Sequence, residues 1–266
     1  MDLGLAGRVC VITGGSRGIG LETARLLRAE DAKVLLVARD AGRLADAAEG
    51  LDGGDEEIAT LPLDITEPDA GEQMLGAALE AFGGVDALVN NAGAARNRDL
   101  FEVPDADWRD QYELNVMAPL RAMKAIAPVL AERGWGRIVN VCSTAAKRPS
   151  QSMPEYSVAK AAELSLSRLF ADRYVKDGVL VNAICPGGVA DAMWLEPGGL
   201  LDQHMARSGA TDREAALAEV NAARPNGRLA TAEEIAAAIV FLCSERSSYV
   251  AGAAWSVDAG TVQIII

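Results

Sequence analysis

The sequence has a single histidine, His204, and this scarcity removes much metal and acyl-transfer chemistry at once. A multi-histidine metal site is impossible, and a Ser-His-Asp triad would have to use His204 as its base. His204 reads instead as a surface or lid residue. Cysteine is also sparse: Cys10, Cys142, Cys185 and Cys243 lie in apolar surroundings with no CxxC or metal-type spacing. They read as reduced core residues, and no metal site is expected. Basic residues are outnumbered, 25 Lys and Arg against 38 Asp and Glu, for a net charge of −13. That balance argues against a nucleic-acid or anionic-membrane surface, and an anionic ligand would need a locally basic site. No run of about 18 apolar residues occurs, and the longest candidate, "AAAIVFLC" (236–243), is too short to span a bilayer. The start, "MDLGLAGRV", has neither a basic leader nor a long apolar stretch, so a cytoplasmic location is expected.

What is present is globular: half the residues are apolar and 24% are charged. The 266 residues alternate short β-rich runs with longer helical patterns. Seven strands are expected, at 8–13, 33–38, 58–63, 85–90, 137–142, 179–184 and 253–258. Most are continuously apolar, as strands buried on both faces of a parallel sheet must be. Helical patterns cover 18–29, 67–82, 107–133, 154–176 and 231–244. The expectation is one α/β domain over 1–266, a Rossmann-type doubly wound sheet of about seven parallel strands with helices on both faces. There is no internal repeat and no dividing linker. The one long connection, about 190–224, reads as a lid over a binding site.

The first strand runs into "TGGSRGIG" (13–20), which places Gly14, Gly18 and Gly20 at the opening of a helix. Glycines there let the backbone approach a pyrophosphate, and the helix N-terminus supplies unpaired N–H groups. The end of the second strand offers both Arg39 and Asp40. Asp40 immediately precedes a helical pattern and reads as its N-cap. Arg39 and Arg17 then supply the charge that a 2′-phosphate requires, so NADP(H) is preferred, with NAD(H) as the alternative.

In "EYSVAK", Tyr156 and Lys160 are four residues apart and share a helical face. A phenol beside an ammonium can act as an acid or base, its pKa drawn down by the cation. With "LDI" (63–65), "NNAG" (90–93), "ELNV" (113–116), Ser143, "PGGV" (186–189) and "VDAG" (257–260), the whole chain resembles the short-chain dehydrogenase/reductase family. The resemblance implies that Tyr156 is the catalytic acid or base and that Lys160 lowers its pKa and binds the nicotinamide ribose. It makes Ser143 the partner of the substrate oxygen and Asn115 the holder of a relay water. It further implies cofactor contacts from Gly14, Ser16, Arg17, Gly18, Ile19, Gly20, Arg39, Asp64, Ile65, Asn91, Ala92, Gly93, Pro186, Gly187 and Val189.

Two positions depart from the family pattern. Asp191 stands where a Thr commonly bonds the carboxamide, and Ala259 stands where Gly is usual. The second is expected to be harmless provided that the backbone there has negative φ. The implied reaction interconverts a ketone and a secondary alcohol. The alternatives are reduction of a 3-oxoacyl thioester on a carrier protein or coenzyme A, with Arg168 and Arg173 as candidate carrier contacts, and a non-catalytic NADP sensor. The resemblance implies that the helices 107–133 and 154–176 are those that pair across subunits in family tetramers, and the apolar tail "TVQIII" also calls for cover, so a homotetramer or homodimer is expected. Specificity is expected to reside in Met193, Trp194, Leu195, Met205 and the loop 94–100.

Overall fold

A computed structural model describes residues 2–264. Its strands are β1 (Val9–Thr13), β2 (Lys33–Ala38), β3 (Ile58–Pro62), β4 (Ala87–Asn90), β5 (Gly136–Val141), β6 (Val179–Pro186) and β7 (Ala254–Val257). They form one sheet in the order β3-β2-β1-β4-β5-β6-β7, with every neighbouring pair parallel. Helices α1 (Gly18–Ala29), α2 (Ala41–Glu49), α3 (Ala70–Phe82), α4 (Asp105–Tyr112) and α5 (Ala118–Glu132) occupy the first half. The second half adds α6 (Thr144–Lys147), α7 (Pro154–Tyr174), α8 (Ala192–Leu195), α9 (Leu200–Ser208), α10 (Arg213–Ala222) and α11 (Ala232–Cys243).

Strand alternation sorts the core into two layers. Cys10 and Ile12 of β1 and Val34 and Leu36 of β2 pack with Leu27 of α1, Leu44 of α2 and Ile239 of α11. Val11, Leu35 and Val37 face the other way, onto Met74 of α3 and Met123 and Ile126 of α5. Both faces being buried explains why these strands are continuously apolar. All four cysteines are free and buried, Cys10 and Cys243 in the first layer and Cys142 and Cys185 in a small separate cluster with Ala183.

The sheet order reverses between β1 and β4, so the loops leaving their carboxyl ends diverge and open a crevice, where ligands of such sheets bind. Asp40 is the N-cap of α2, its Oδ1 accepting from the Arg43 N–H at 3.0 Å. The helix expected at 107–133 is interrupted: a π turn at Glu113–Met117 joins α4 to α5. The combined helix Asp105–Glu132 is long and apolar enough to cross a membrane by length and composition. It is nevertheless a core helix, since Ala122, Met123, Ile126 and Leu130 are buried against the sheet. The 190–224 connection is helical, formed by α8, α9 and α10, with its own small core of Leu201, Ala216, Val220 and Leu229. Of the "TVQIII" tail, Ile265 and Ile266 lie outside the described residues, and Ile264 is exposed.

Ala259 corrects an expectation. Its φ is +49°, not negative, because the turn after β7 is pinned by Asp258, whose carboxylate accepts from the N–H groups of Gly260 and Val262. A Cβ in the left-handed region costs roughly 1–2 kcal/mol, and glycine returns part of that through its greater unfolded-state freedom. Ala259→Gly is therefore expected to stabilise the fold by about 1 kcal/mol, raising Tm by roughly 2–4 °C. Thermal and urea denaturation measure this, and a lower midpoint would show that the turn is unstrained.

Candidate active site

The loops at the carboxyl ends of the strands bring the sequence-selected residues to one edge. The turn after β1 carries Gly14, Ser16 and Arg17 and delivers Gly18, Ile19 and Gly20 into α1. Gly14 has φ +66° and Gly18 has φ +56°. A Cβ on Gly20 would lie 2.3 Å from the Gly14 carbonyl oxygen, so α1 packs against the turn at a distance that only glycine permits. Arg17, the N-cap residue of α1, makes no side-chain cap, and the first turn holds no acid. The N–H groups there are thus open to an anion, which fits a cofactor pyrophosphate.

Asn91 fastens this turn to β4. Its side-chain amide donates to the Thr13 carbonyl at 2.9 Å and the Gly14 carbonyl at 3.3 Å. The Thr13 hydroxyl accepts from the N–H groups of Asn91 and Ala92. Asn91 therefore shapes the pocket through its side chain, in addition to the adenine-side contact expected from the sequence.

Arg39, at the end of β2, is exposed, with one guanidinium nitrogen 3.9 Å from Asp64. Asp64 and Ile65 follow β3. The Oδ1 of Asp64 accepts from the N–H and hydroxyl of Thr66, and its Oδ2 faces Arg39. Burial raises its pKa, but the two Thr66 donors and Arg39 outweigh that and hold the carboxyl low. Arg17 is paired with Glu196, which is also 3.8 Å from Arg43. Asp191 is the N-cap of α8, accepting from the Met193 N–H at 3.0 Å. Its carboxylate would lie 3.1 Å from a Cβ on Gly18, so it seats the lid directly on the glycine turn. Burial pushes the Asp191 pKa up, against the cap N–H groups and Arg17.

Ser143 follows β5 and caps α6, its hydroxyl accepting from the Ala145 N–H. Tyr156 and Lys160 lie in the first two turns of α7, both buried, with the Lys160 Nζ 5.8 Å from the Tyr156 ring centroid. Asn115 lies within the π turn, fully buried. Its Nδ2 donates to the backbone and side-chain oxygens of Gln111, while its Oδ1 has no protein donor. A Cβ on Gly93 would sit 3.4 Å from that Oδ1 and 3.7 Å from the Lys160 Nζ, so the two polar atoms converge beneath Gly93. Pro186 and Gly187 end β6 and begin the next loop. Val189 forms a parallel bridge with Ala230, closing the base of the lid.

Glu163 was not selected from the sequence. Its Oε2 accepts from the Lys160 Nζ at 2.8 Å, with side-chain exposures of 1% and 3% for the two residues. Lys160 also donates to the Val141 carbonyl at 2.9 Å. Burial pulls the Lys160 pKa down, but the Glu163 carboxylate overrides it and holds the lysine above its ordinary value. For Tyr156 burial is the largest influence and raises the pKa; Lys160 and Ser143 pull it down, while Glu163 and Cys142 add to the rise. The net displacement of Tyr156 is upward. This corrects the expectation of a phenol drawn toward neutrality: burial outweighs a cation whose charge Glu163 already partly balances.

A cavity of 660 Å³ opens in front of Ser143 and Tyr156 and reaches Met193, Trp194 and Ala95. Loop and lid are joined there, the Asn97 N–H donating to the Gln203 Oε1 at 2.7 Å. His204 lies on the lid and pairs with Glu219 at 3.1 Å, outside the catalytic cluster. Arg168 and Arg173 are exposed on α7 and are paired with Asp172 and Asp177.

The family model described as enoyl-(acyl carrier protein) reductase matches residues 14–262. The 3-oxoacyl-[acyl-carrier-protein] reductase FabG of Vibrio cholerae is 33% identical over 262 residues, covering 98% of this chain and all of that protein. The crystal structure of L-sorbose reductase from Gluconobacter frateurii, complexed with NADPH and L-sorbose, superposes with a TM-score of 0.90 at 34% identity, covering both chains fully. A solved short chain dehydrogenase/reductase family protein gives a TM-score of 0.83 at 32% identity over 99% of this chain and all of its own. Matches of this extent, on the geometry described, mean that the chain belongs to the short-chain dehydrogenase/reductase family of NAD(P)-dependent oxidoreductases acting on CH–OH groups.

Proposed function

We propose that the protein interconverts a small ketone and its secondary alcohol with NADP(H) as the preferred cofactor. The observation that carries this reading is the convergence of Ser143, Tyr156, Lys160 and Asn115 beside the 660 Å³ cavity. When bound, the nicotinamide cofactor supplies or accepts the hydride. The chain's own groups deal with the charge that develops on the substrate oxygen. Ser143 donates to that oxygen and Tyr156 exchanges a proton with it. Lys160 offers its remaining N–H to the cofactor ribose, and the Asn115 Oδ1 anchors a proton relay through water. The glycine turn takes the pyrophosphate. Asp64 and Ile65 serve the adenine side with Asn91, Ala92 and Gly93, and the Pro186–Val189 backbone serves the carboxamide.

The preference for NADP(H) rests on Arg39, exposed at the second strand end with Arg17 and Arg43 nearby, and on the NADPH bound by the sorbose reductase. Arg39→Asp is expected to lower the NADPH-to-NADH ratio of kcat/KM by at least about tenfold, since a charge-assisted phosphate contact becomes a repulsion. Initial rates with both cofactors test it, and an unchanged ratio would remove Arg39 from cofactor selection.

A second reading, reduction of a 3-oxoacyl thioester, is favoured by the resemblance to the Vibrio cholerae reductase. Against it, Arg168 and Arg173 are engaged by neighbouring acids and stand outside the cavity lining. A sensor without catalysis would have no use for the proton-handling set. The exposed Leu100, Phe101, Tyr112, Val158 and Leu169 around α4 and α7 support a homotetramer or homodimer. A monomeric mass in solution would refute it.

A further inference from the structure

The cavity in front of Tyr156 contains two charged residues, Arg148 and Arg224, and no acid lines it. This is unusual in a chain of net charge −13, where Arg17, Arg39, Arg43 and Arg228 all meet carboxylates. Among the described residues neither Arg148 nor Arg224 forms a salt bridge. Arg224 is half-buried, its Nε is buried without an acceptor, and burial alone depresses its pKa. Desolvating a guanidinium with no counter-charge is costly, and such groups are ordinarily paired. What holds Arg224 in place is apolar: its guanidinium lies 5.4 Å from the centroid of the Trp194 ring. Gly188 makes room for it, since a Cβ there would sit 3.1 Å from the Arg224 Nη2. The arginine is therefore fitted into the cavity wall between Gly188, after β6, and Trp194 of α8.

The cofactor's own phosphates do not account for this charge. The turn that fits them, Gly14 to Gly20, contributes nothing to the cavity lining, whose glycines are Gly187 and Gly188, after β6. We infer that the substrate carries a carboxylate, which Arg224 and Arg148 receive while its carbonyl meets Ser143 and Tyr156. The inference deepens the ketone–alcohol reading above and rests on it. The chemistry is the same: the carbonyl carbon gains a hydride, its oxygen gains the Tyr156 proton, and the carboxylate is unchanged. Its role is to supply the missing counter-charge and to fix which end of the molecule enters.

The test is a panel of short oxo acids, with the ketone at successive distances from the carboxylate, each assayed with NADPH beside its own methyl ester. At least one acid is expected to exceed its ester in kcat/KM by on the order of 10- to 100-fold, the range of a hydrogen bond to a charged group. Arg224→Met and Arg148→Met are each expected to reduce that ratio about tenfold while leaving ester turnover in place, and Arg224→Lys to retain part of it. NADPH affinity, measured on every variant, verifies folding, and the exposed Arg148 carries the comparison if Arg224→Met does not fold. Esters turned over as well as acids, or a ratio untouched in both methionine variants, would overturn the inference and leave the reductase reading standing. A phosphorylated ketone or a carrier thioester preferred to every acid would also overturn it. Absence of turnover with any ketone, charged or neutral, would overturn both readings.

Discussion

Tyr156→Phe is expected to lower kcat by on the order of 10²- to 10⁴-fold, the range for loss of a positioned acid or base. NADPH binding should be retained. Tyr156 is buried in the first turn of α7, so phenylalanine keeps its packing and removes one oxygen atom. That oxygen is needed only when charge moves on or off the substrate, so the loss falls on kcat and kcat/KM together rather than on KM alone. Pre-steady-state fluorescence of NADPH binding and steady-state turnover separate the two effects. Undiminished turnover would remove Tyr156 from the mechanism and with it the assignments of Lys160 and Asn115.

The second large effect concerns Glu163. Glu163→Leu leaves Lys160 buried as an uncompensated cation, a change that typically costs about 3–5 kcal/mol. Urea denaturation is expected to show this loss. Glu163→Gln keeps an oxygen acceptor for the Lys160 Nζ and removes only the charge. Because the Glu163 carboxylate raises the Tyr156 pKa, its neutralisation lowers that pKa. Alcohol oxidation needs the phenolate, so its rate rises with pH through this titration, and the rising limb is expected to move to lower pH in Glu163→Gln. Ketone reduction needs the phenol, so its falling limb is expected to move the same way. The other ionisable groups facing the cluster are Cys142, just after β5, and Cys185 on β6, and burial holds both thiols protonated, Cys185 at about 11. A pH profile identical to wild type would limit Glu163 to a packing role.

The sheet was legible because its signals are local. β2 and α1 fall on the expected residues, and the glycine turn between β1 and α1 follows from backbone sterics alone. β4 begins two residues later than expected, at Ala87; Asp86 before it still bonds Val9 and Arg137 through its backbone, while its carboxylate accepts from the Val9 N–H and pairs with Arg8 and Arg133. The π turn at Asn115 carries no propensity signal; it comes from how α4 and α5 meet α7. Glu163 had a signal of a kind, the i, i+3 spacing from Lys160. Such a pair is ordinarily solvated, and what makes this one different is its burial beneath β5, set by residues more than twenty positions away. The positive φ at Ala259, on which the harmlessness of that residue depends, is not legible for the same reason, since Asp258 organises the turn through contacts that composition does not reveal. Arg148, which follows α6, and Arg224, which follows α10, line one cavity only through the tertiary fold.

The Val189–Ala230 bridge has a further consequence for the 190–224 segment. It brings the two ends of the segment side by side, and the segment between them supplies its own core from Leu201, Ala216, Val220 and Leu229. The lid is thus a cassette: it enters and leaves the domain at one point on the sheet edge. A change in its length costs little in loop-closure entropy when the ends are already neighbours. Transplanting residues 190–229 from a relative would therefore replace Met193, Trp194 and Arg224 in the cavity wall and leave Ser143, Tyr156 and Lys160 in place. The cavity wall is divided accordingly: Ser143, Arg148 and Tyr156 stand on the main domain, while Met193, Trp194 and Arg224 belong to a segment with one point of attachment.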